Sequence, residues 1–158
     1  MTDSRSEVKR YAFRLLAYRG RSENELRERL ASKGFSEAAV TETIVNLKEA
    51  GFIDDAALAL DLKRQTLEQK KLGYRAARSF MEKRGLGRDL VESTLGYDED
   101  VELANARNLL CKRMKSMGNY LTTKERKRLY DYLSRRGFSS PVIGKALRDF
   151  ESDDREKG

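Results

Sequence analysis

The stretch Leu26-Arg-Glu-Arg-Leu30-Ala-Ser-Lys33-Gly34-Phe35-Ser36 ends one helix, turns on a glycine and opens another. It recurs as Met81-Glu-Lys-Arg84-Gly85-Leu86-Gly87 and as Leu133-Ser-Arg-Arg136-Gly137-Phe138-Ser139, with the glycines 51 and 52 residues apart. In each copy an apolar residue (Leu30, Met81, Leu133) falls in the last helical turn. Gly34, Gly85 and Gly137 fit the left-handed position beyond it, where a Cβ is unfavourable. The copies agree further on. Val40, Val91 and Ile143 come five residues after Phe35, Leu86 and Phe138, and Ile44, Leu95 and Leu147 come nine after. These intervals lie on one helical face, so a short helix-turn-helix core is written three times.

The rest of the chain reads as helix in the same way. Val8, Tyr11, Ala12, Leu15 and Leu16 mark a helix over residues 4 to 18. Ser22 and Glu25 form a capping box that opens the helix bearing Leu26 and Leu30, and Ser36 caps the next, with Val40, Ile44 and Leu47 inward. After Phe52-Ile53 the pair Asp54-Asp55 supplies a cap and a favourable charge for a helix running through Leu58, Leu62 and Leu67 toward Gly73. Helices follow over about 75–83 and through Leu90, Val91 and Leu95. Asp98-Glu-Asp opens a long helix to about Met117, which Gly118-Asn119 breaks. Thr122 and Glu125 form a second capping box, and Ser140-Pro141 places a cap before a proline at the first position of the last helix, which ends near Phe150.

The expected architecture is all-α: an elongated, curved array of three tandem three-helix (helix-turn-helix-like) repeats, nine helices in total. Repeat 1 takes residues 1–53, repeat 2 takes 54–97 and repeat 3 takes 98–150, with a frayed acidic tail at 151–158. With 39% hydrophobic and 37% charged residues, the 158-residue chain has apolar material for small cores beneath a charged surface.

Charge narrows the function. The net charge is +7, with a pI near 9.5, which favours an acidic partner. From Lys63 to Arg88 nine basic residues face two acidic ones, and from Lys112 to Arg136 the count is again nine against two. Positive charge is thus concentrated in repeats two and three. The candidate partner- or DNA-binding residues are Arg64, Lys70, Lys71, Arg75, Arg78, Lys83, Arg84, Arg126, Lys127 and Arg128, Arg75 and Arg78 sharing a face at i, i+3. Ser22, Glu25, Gly34, Phe35, Asp54, Asp55, Gly85 and Gly137 read as structural, the two aspartates as caps rather than metal ligands.

Tyr11, Tyr18, Tyr130 and Tyr132 read as packing residues, and Cys111 as a small packed side chain. One thiol and no histidine make neither a disulfide nor a usual zinc set, and no cofactor is called for. Lack of histidine and of a GxxxxGK[ST] loop argues against an enzyme. No signal-peptide pattern and no long apolar run point to a cytoplasmic protein off the membrane.

The series Arg19-x-Arg21-Ser22-Glu23-x-Glu25-Leu26-Arg27-x-x-Leu30-x-x-Lys33-Gly34-Phe35, followed by Gly51-Phe52-Ile53-Asp54-Asp55-x-x-Leu58-Ala59, closely resembles the RecX family of bacterial recombinase regulators. The resemblance covers nearly the whole chain, departing from the usual pattern at Leu58, Ala77 and Phe80. It implies tandem three-helix repeats and a non-catalytic protein, a monomer in this reading. It also implies a partner, the RecA recombinase filament, whose helical groove such proteins occupy while they dampen ATP hydrolysis, strand exchange and coprotease activity. Some direct DNA affinity is implied as well. Sequence-nonspecific DNA binding through the basic repeats is the alternative reading.

Overall fold

A computed structural model describes residues 4–115 and 121–156, so the break expected at Gly118-Asn119 lies outside the described residues. Among the described residues there are nine α-helices and no strand: α1 (Arg5–Tyr18), α2 (Glu23–Ser32), α3 (Glu37–Glu49), α4 (Asp55–Lys63), α5 (Tyr74–Lys83), α6 (Arg88–Leu95), α7 (Glu99–Met114), α8 (Thr123–Arg135) and α9 (Ser140–Glu156). The all-α repeat fold is therefore as the periodicity predicts. Past Lys63 the helix continues as a wider π-helical stretch, Arg64–Gln69, closed by a Lys70 N–H to Gln65 carbonyl bond. It buries Thr66, and Lys71 then turns with φ +55°.

Packing groups the chain into two compact units. The first contains residues 1–62 and 81–94, and the second contains 63–80 and 95–158. The division falls inside the stretch read as repeat 2, and it assigns the first seven residues of α5 to one unit and the last three to the other.

In the first unit α1, α2 and α3 enclose Val8, Ala12, Leu26, Leu30, Val40, Ile44, Leu47 and Ile53. All but Ile53, which lies between α3 and α4, are stripe residues of the three sequence patterns. Each fully buried leucine contributes about 2 kcal/mol of transfer free energy. Ser22 caps α2 by accepting the Glu25 N–H at 3.0 Å, but the reciprocal half of the expected box is not made. The Glu25 carboxylate is taken instead by arginines, because charged guanidinium donors outcompete a neutral backbone N–H. Asp54 caps α4 through the Ala57 N–H, whereas Asp55 accepts the Glu23 N–H and so serves the start of α2.

In the second unit α7, α8 and α9 enclose Leu103, Ala106, Leu110, Leu129, Leu133, Phe138, Ile143 and Leu147 among others. Here the Thr122–Glu125 box is complete. The Glu125 carboxyl is held below its ordinary value of 4.5, first by the Thr122 backbone N–H and then by its hydroxyl. Four readings shift. α9 begins at Ser140 itself, placing Pro141 at the second helical position, where a missing N–H costs no intrahelical bond. It runs on to Glu156 rather than ending near Phe150, since 151–156 hold no glycine or proline and Arg126 pairs with Glu151. Cys111 is exposed, because the buried stripe Ala106–Leu110–Met114 leaves it on the outer side of α7. In the first unit, Tyr18 is 83% exposed, as the last residue of α1 before the chain extends at Arg19.

The three repeated glycines all have positive φ, +100°, +86° and +94°. Two of them do more than turn. A Cβ on Gly85 would lie 2.3 Å from the Ser22 hydroxyl, and one on Gly137 would lie 2.4 Å from the Ala76 backbone nitrogen. Within each unit, then, the turn after one helix is seated on the start of another. Ser22 Oγ donates to the Arg84 carbonyl at 2.7 Å and Asn24 to the Gly85 carbonyl. In the other unit the Gly73 N–H donates to the Arg136 carbonyl at 3.0 Å and Arg136 Nη2 to the Lys70 carbonyl. These bonds satisfy carbonyls that a helix end leaves open.

Candidate partner-binding surface

The basic residues singled out from the sequence divide between the two units. Lys83 and Arg84 lie in the first, and Arg64, Lys70, Lys71, Arg75, Arg78, Arg126, Lys127 and Arg128 in the second. Arg84 is turned inward: its Nη2 donates to the Gly20 carbonyl at 2.8 Å, and its Nε lies 3.8 Å from Glu25. Arg19 and Arg21 bind the same carboxylate, Arg21 Nη1 at 2.6 Å while its Nε holds the Leu15 carbonyl. Burial first, and then the Arg19 charge, push the Arg84 guanidinium below its ordinary value against the pull of Glu25. Three guanidiniums on one carboxylate lock the entry to α2. Lys83 is exposed.

In the second unit Arg75 reaches the Phe138 carbonyl at 3.4 Å, Lys70 Nζ stands 5.1 Å from the Phe80 ring, and Arg126 is paired with Glu151. Arg64, Lys127 and Arg128 are exposed, while Lys71 and Arg78 are half-buried.

A concentrated positive feature lies between α7 and α8. A cleft of about 750 Å³ is lined by Lys112, Arg113, Arg128 and Arg135, with Asp131 as the acidic residue and Leu109, Leu129 and Tyr132 as its floor. Four cations face one carboxylate there, and the Arg113 guanidinium lies 4.2 Å from the Tyr132 ring centroid, which fixes its position over the floor. Such a cleft attracts carboxylates or phosphates, and Arg in particular presents paired N–H donors to either. Only Arg128 of this set is among the candidates named from the sequence. The signal for the rest was present in the spacing, since Arg128, Asp131, Tyr132 and Arg135 stand at i, i+3, i+4 and i+7 on one face of α8. What the sequence does not show is that α7 presents Lys112 and Arg113 to that same face.

Among the described residues no group of histidine, cysteine or carboxylate side chains is arranged to hold a metal ion, and no helix is long and apolar enough to cross a membrane.

Comparison with known proteins agrees with this architecture. The family described as RecX, first three-helix domain, matches residues 9–47, and that described as RecX, third three-helix domain, matches residues 100–147. The chain is 33% identical over 148 residues to the regulatory protein RecX of Deinococcus radiodurans, covering 93% of this chain and 70% of that one. It is 35% identical over 141 residues to the protein of the same name from Thermotoga maritima, covering 89% and 83%. The crystal structure of RecX from Lactobacillus salivarius shares the fold with a TM-score of 0.80 at 20% identity, over 96% of this chain and 99% of that one. Sequence similarity along nearly the whole chain, with the same helices in the same order, places the chain in the RecX family of regulatory proteins.

Proposed function

We propose that this protein binds the RecA recombinase filament in its helical groove and dampens its ATP hydrolysis, strand exchange and coprotease activity. The observation that carries the reading is membership of the RecX family over nearly the whole chain. In this reading the protein acts as a cytoplasmic monomer, without a cofactor and without catalysis. Its effect comes from binding one state of the filament in preference to another. The cleft between α7 and α8 supplies an anion-seeking contact, and Arg75, Arg78, Lys70 and Lys127 belong to the same unit.

The test is DNA-dependent ATP hydrolysis by the cognate recombinase on preformed filaments, titrated with the wild type, with Arg128→Glu/Arg135→Glu and with Arg75→Glu/Arg78→Glu. Inhibition by the wild type, lost in the first variant while helicity is retained, is the expected result. Absence of any effect at several-fold excess overturns the reading.

A second reading, direct nonspecific DNA binding, is favoured by the same four-cation cleft. It predicts tight binding to naked DNA without recombinase. The affinity would then fall with salt at a slope near 0.9 per phosphate contact.

A further inference from the structure

The second unit is basic, yet it contains one small acidic pocket. About 150 Å³ in volume, it is walled by Leu67, Leu72, Tyr74, Leu95, Tyr97 and Val101. The Tyr74 and Tyr97 rings meet edge to face at 5.3 Å and 83°. Tyr97 is 55% exposed and Val101 46%, so the mouth opens to solvent past an aromatic and an aliphatic rim.

The Glu102 and Asp98 carboxylates make the pocket acidic. Glu102 is 5% exposed, and its Oε2 has no protein hydrogen-bond donor. Desolvation first, and then a side-chain hydrogen bond to the Glu102 carboxylate and its charge, hold the Tyr97 phenol above its ordinary value. Asn105 gives its amide N–H to the Leu67 carbonyl at 3.0 Å, which leaves the side-chain oxygen as an acceptor. Asp98 caps α7 through the Asp100 and Val101 N–H groups. Lys63 is the cation on the wall, against the two carboxylates of Asp98 and Glu102. A buried carboxylate oxygen without a donor is costly, and that cost is relieved by an incoming cation or N–H group.

We infer that this pocket receives an arginine side chain presented by a protein partner. Its volume lies below the roughly 300 Å³ at which small-molecule sites begin, so it fits a side chain and not a nucleotide or cofactor. A guanidinium matches the contents: N–H groups for Glu102 and the Asn105 oxygen, and a flat cationic face for the tyrosine rings. The partner's identity rests on the reading of the chain as a protein-binding regulator, but the pocket's chemistry does not.

The test therefore uses no recombinase. The ¹⁵N-labelled chain is titrated with N-acetyl-arginine-N-methylamide, with the citrulline analogue, which is isosteric and uncharged, and with the lysine analogue. Saturable shifts of the amides of residues 96–105 are expected with arginine, with the citrulline compound at least about tenfold weaker, the worth of one charge-assisted hydrogen bond. Glu102→Gln should abolish the response while the α8 and α9 amides keep their positions. Tyr97→Ala, which removes an exposed ring and leaves the core intact, should weaken it several-fold. No saturable shift, an equal response to citrulline or lysine, or a response that survives Glu102→Gln would each overturn the assignment. Recombinase inhibition without arginine binding would sink this inference alone.

Discussion

Gly34 and Gly137 occupy equivalent places in the sequence repeat and have nearly the same φ, +100° and +94°, but only Gly137 is seated against other backbone. Substitution by alanine separates the two roles. At Gly34 no atom lies within 4 Å of the added methyl, so Gly34→Ala should cost only the left-handed conformation, about 1–2 kcal/mol. At Gly137 the same conformational cost applies. In addition, the methyl would sit 2.3 Å from the Ala76 Cβ and 2.4 Å from its nitrogen, so α5 and the turn after α8 must separate. Overpacking of this kind adds about 1–3 kcal/mol. Losing the Gly73 N–H to Arg136 carbonyl bond as they separate adds about 1 kcal/mol. Gly137→Ala should therefore destabilise by about 3–6 kcal/mol, at least about twice the loss at Gly34. Urea unfolding followed by circular dichroism gives the totals. Hydrogen exchange of the α2–α3 and α8–α9 amides assigns each loss to its unit. Equal losses for the two variants would refute the argument that the turn glycine is a docking surface as well as a turn.

Two further predictions concern charge. Glu25→Gln leaves Arg19, Arg21 and Arg84 facing a neutral amide, with Arg21 only 7% exposed, and should destabilise the first unit by about 3 kcal/mol. A change under 1 kcal/mol in urea unfolding would show that solvent screens the cluster. For Glu125, whose carboxyl is depressed in the folded chain, the stabilising contribution is complete above the unfolded value near 4.5 and is lost as pH falls through the lower folded value. Its side-chain ¹³C resonance should titrate below 4.5 in the wild type and nearer to it in Thr122→Ala. Coincident titrations would mean that the Thr122 hydroxyl does not hold the Glu125 carboxylate in solution.

Local signals carried much of this fold. Apolar residues at helical spacing in α1, α2, α3, α7, α8 and α9 became the two cores, because a short amphipathic helix has one face to bury and few alternatives. The turn glycines followed from backbone sterics alone. Side-chain exposure at element ends was less legible: Tyr18 and Cys111 sit one step outside a buried stripe, and a stripe's edges depend on what packs against it. The capping box at Thr122 formed whole and the one at Ser22 formed by half, although both read alike. The difference lies in three arginines, one of them brought from 59 residues away in sequence.

The amino-acid sequence by itself determined the helices, their turns, the triple repeat and the excess of positive charge, since each depends on neighbours within a few residues or on composition. The tertiary structure alone decided how that charge is used. It turned Arg84 inward onto Gly20 and Glu25, gathered Lys112 and Arg113 with Arg128 and Arg135 around one cleft, and buried Glu102 beside two tyrosines. Those outcomes rest on contacts between segments far apart in the chain. A charged side chain's role is set by the donors, acceptors and solvent around it, which local spacing does not specify.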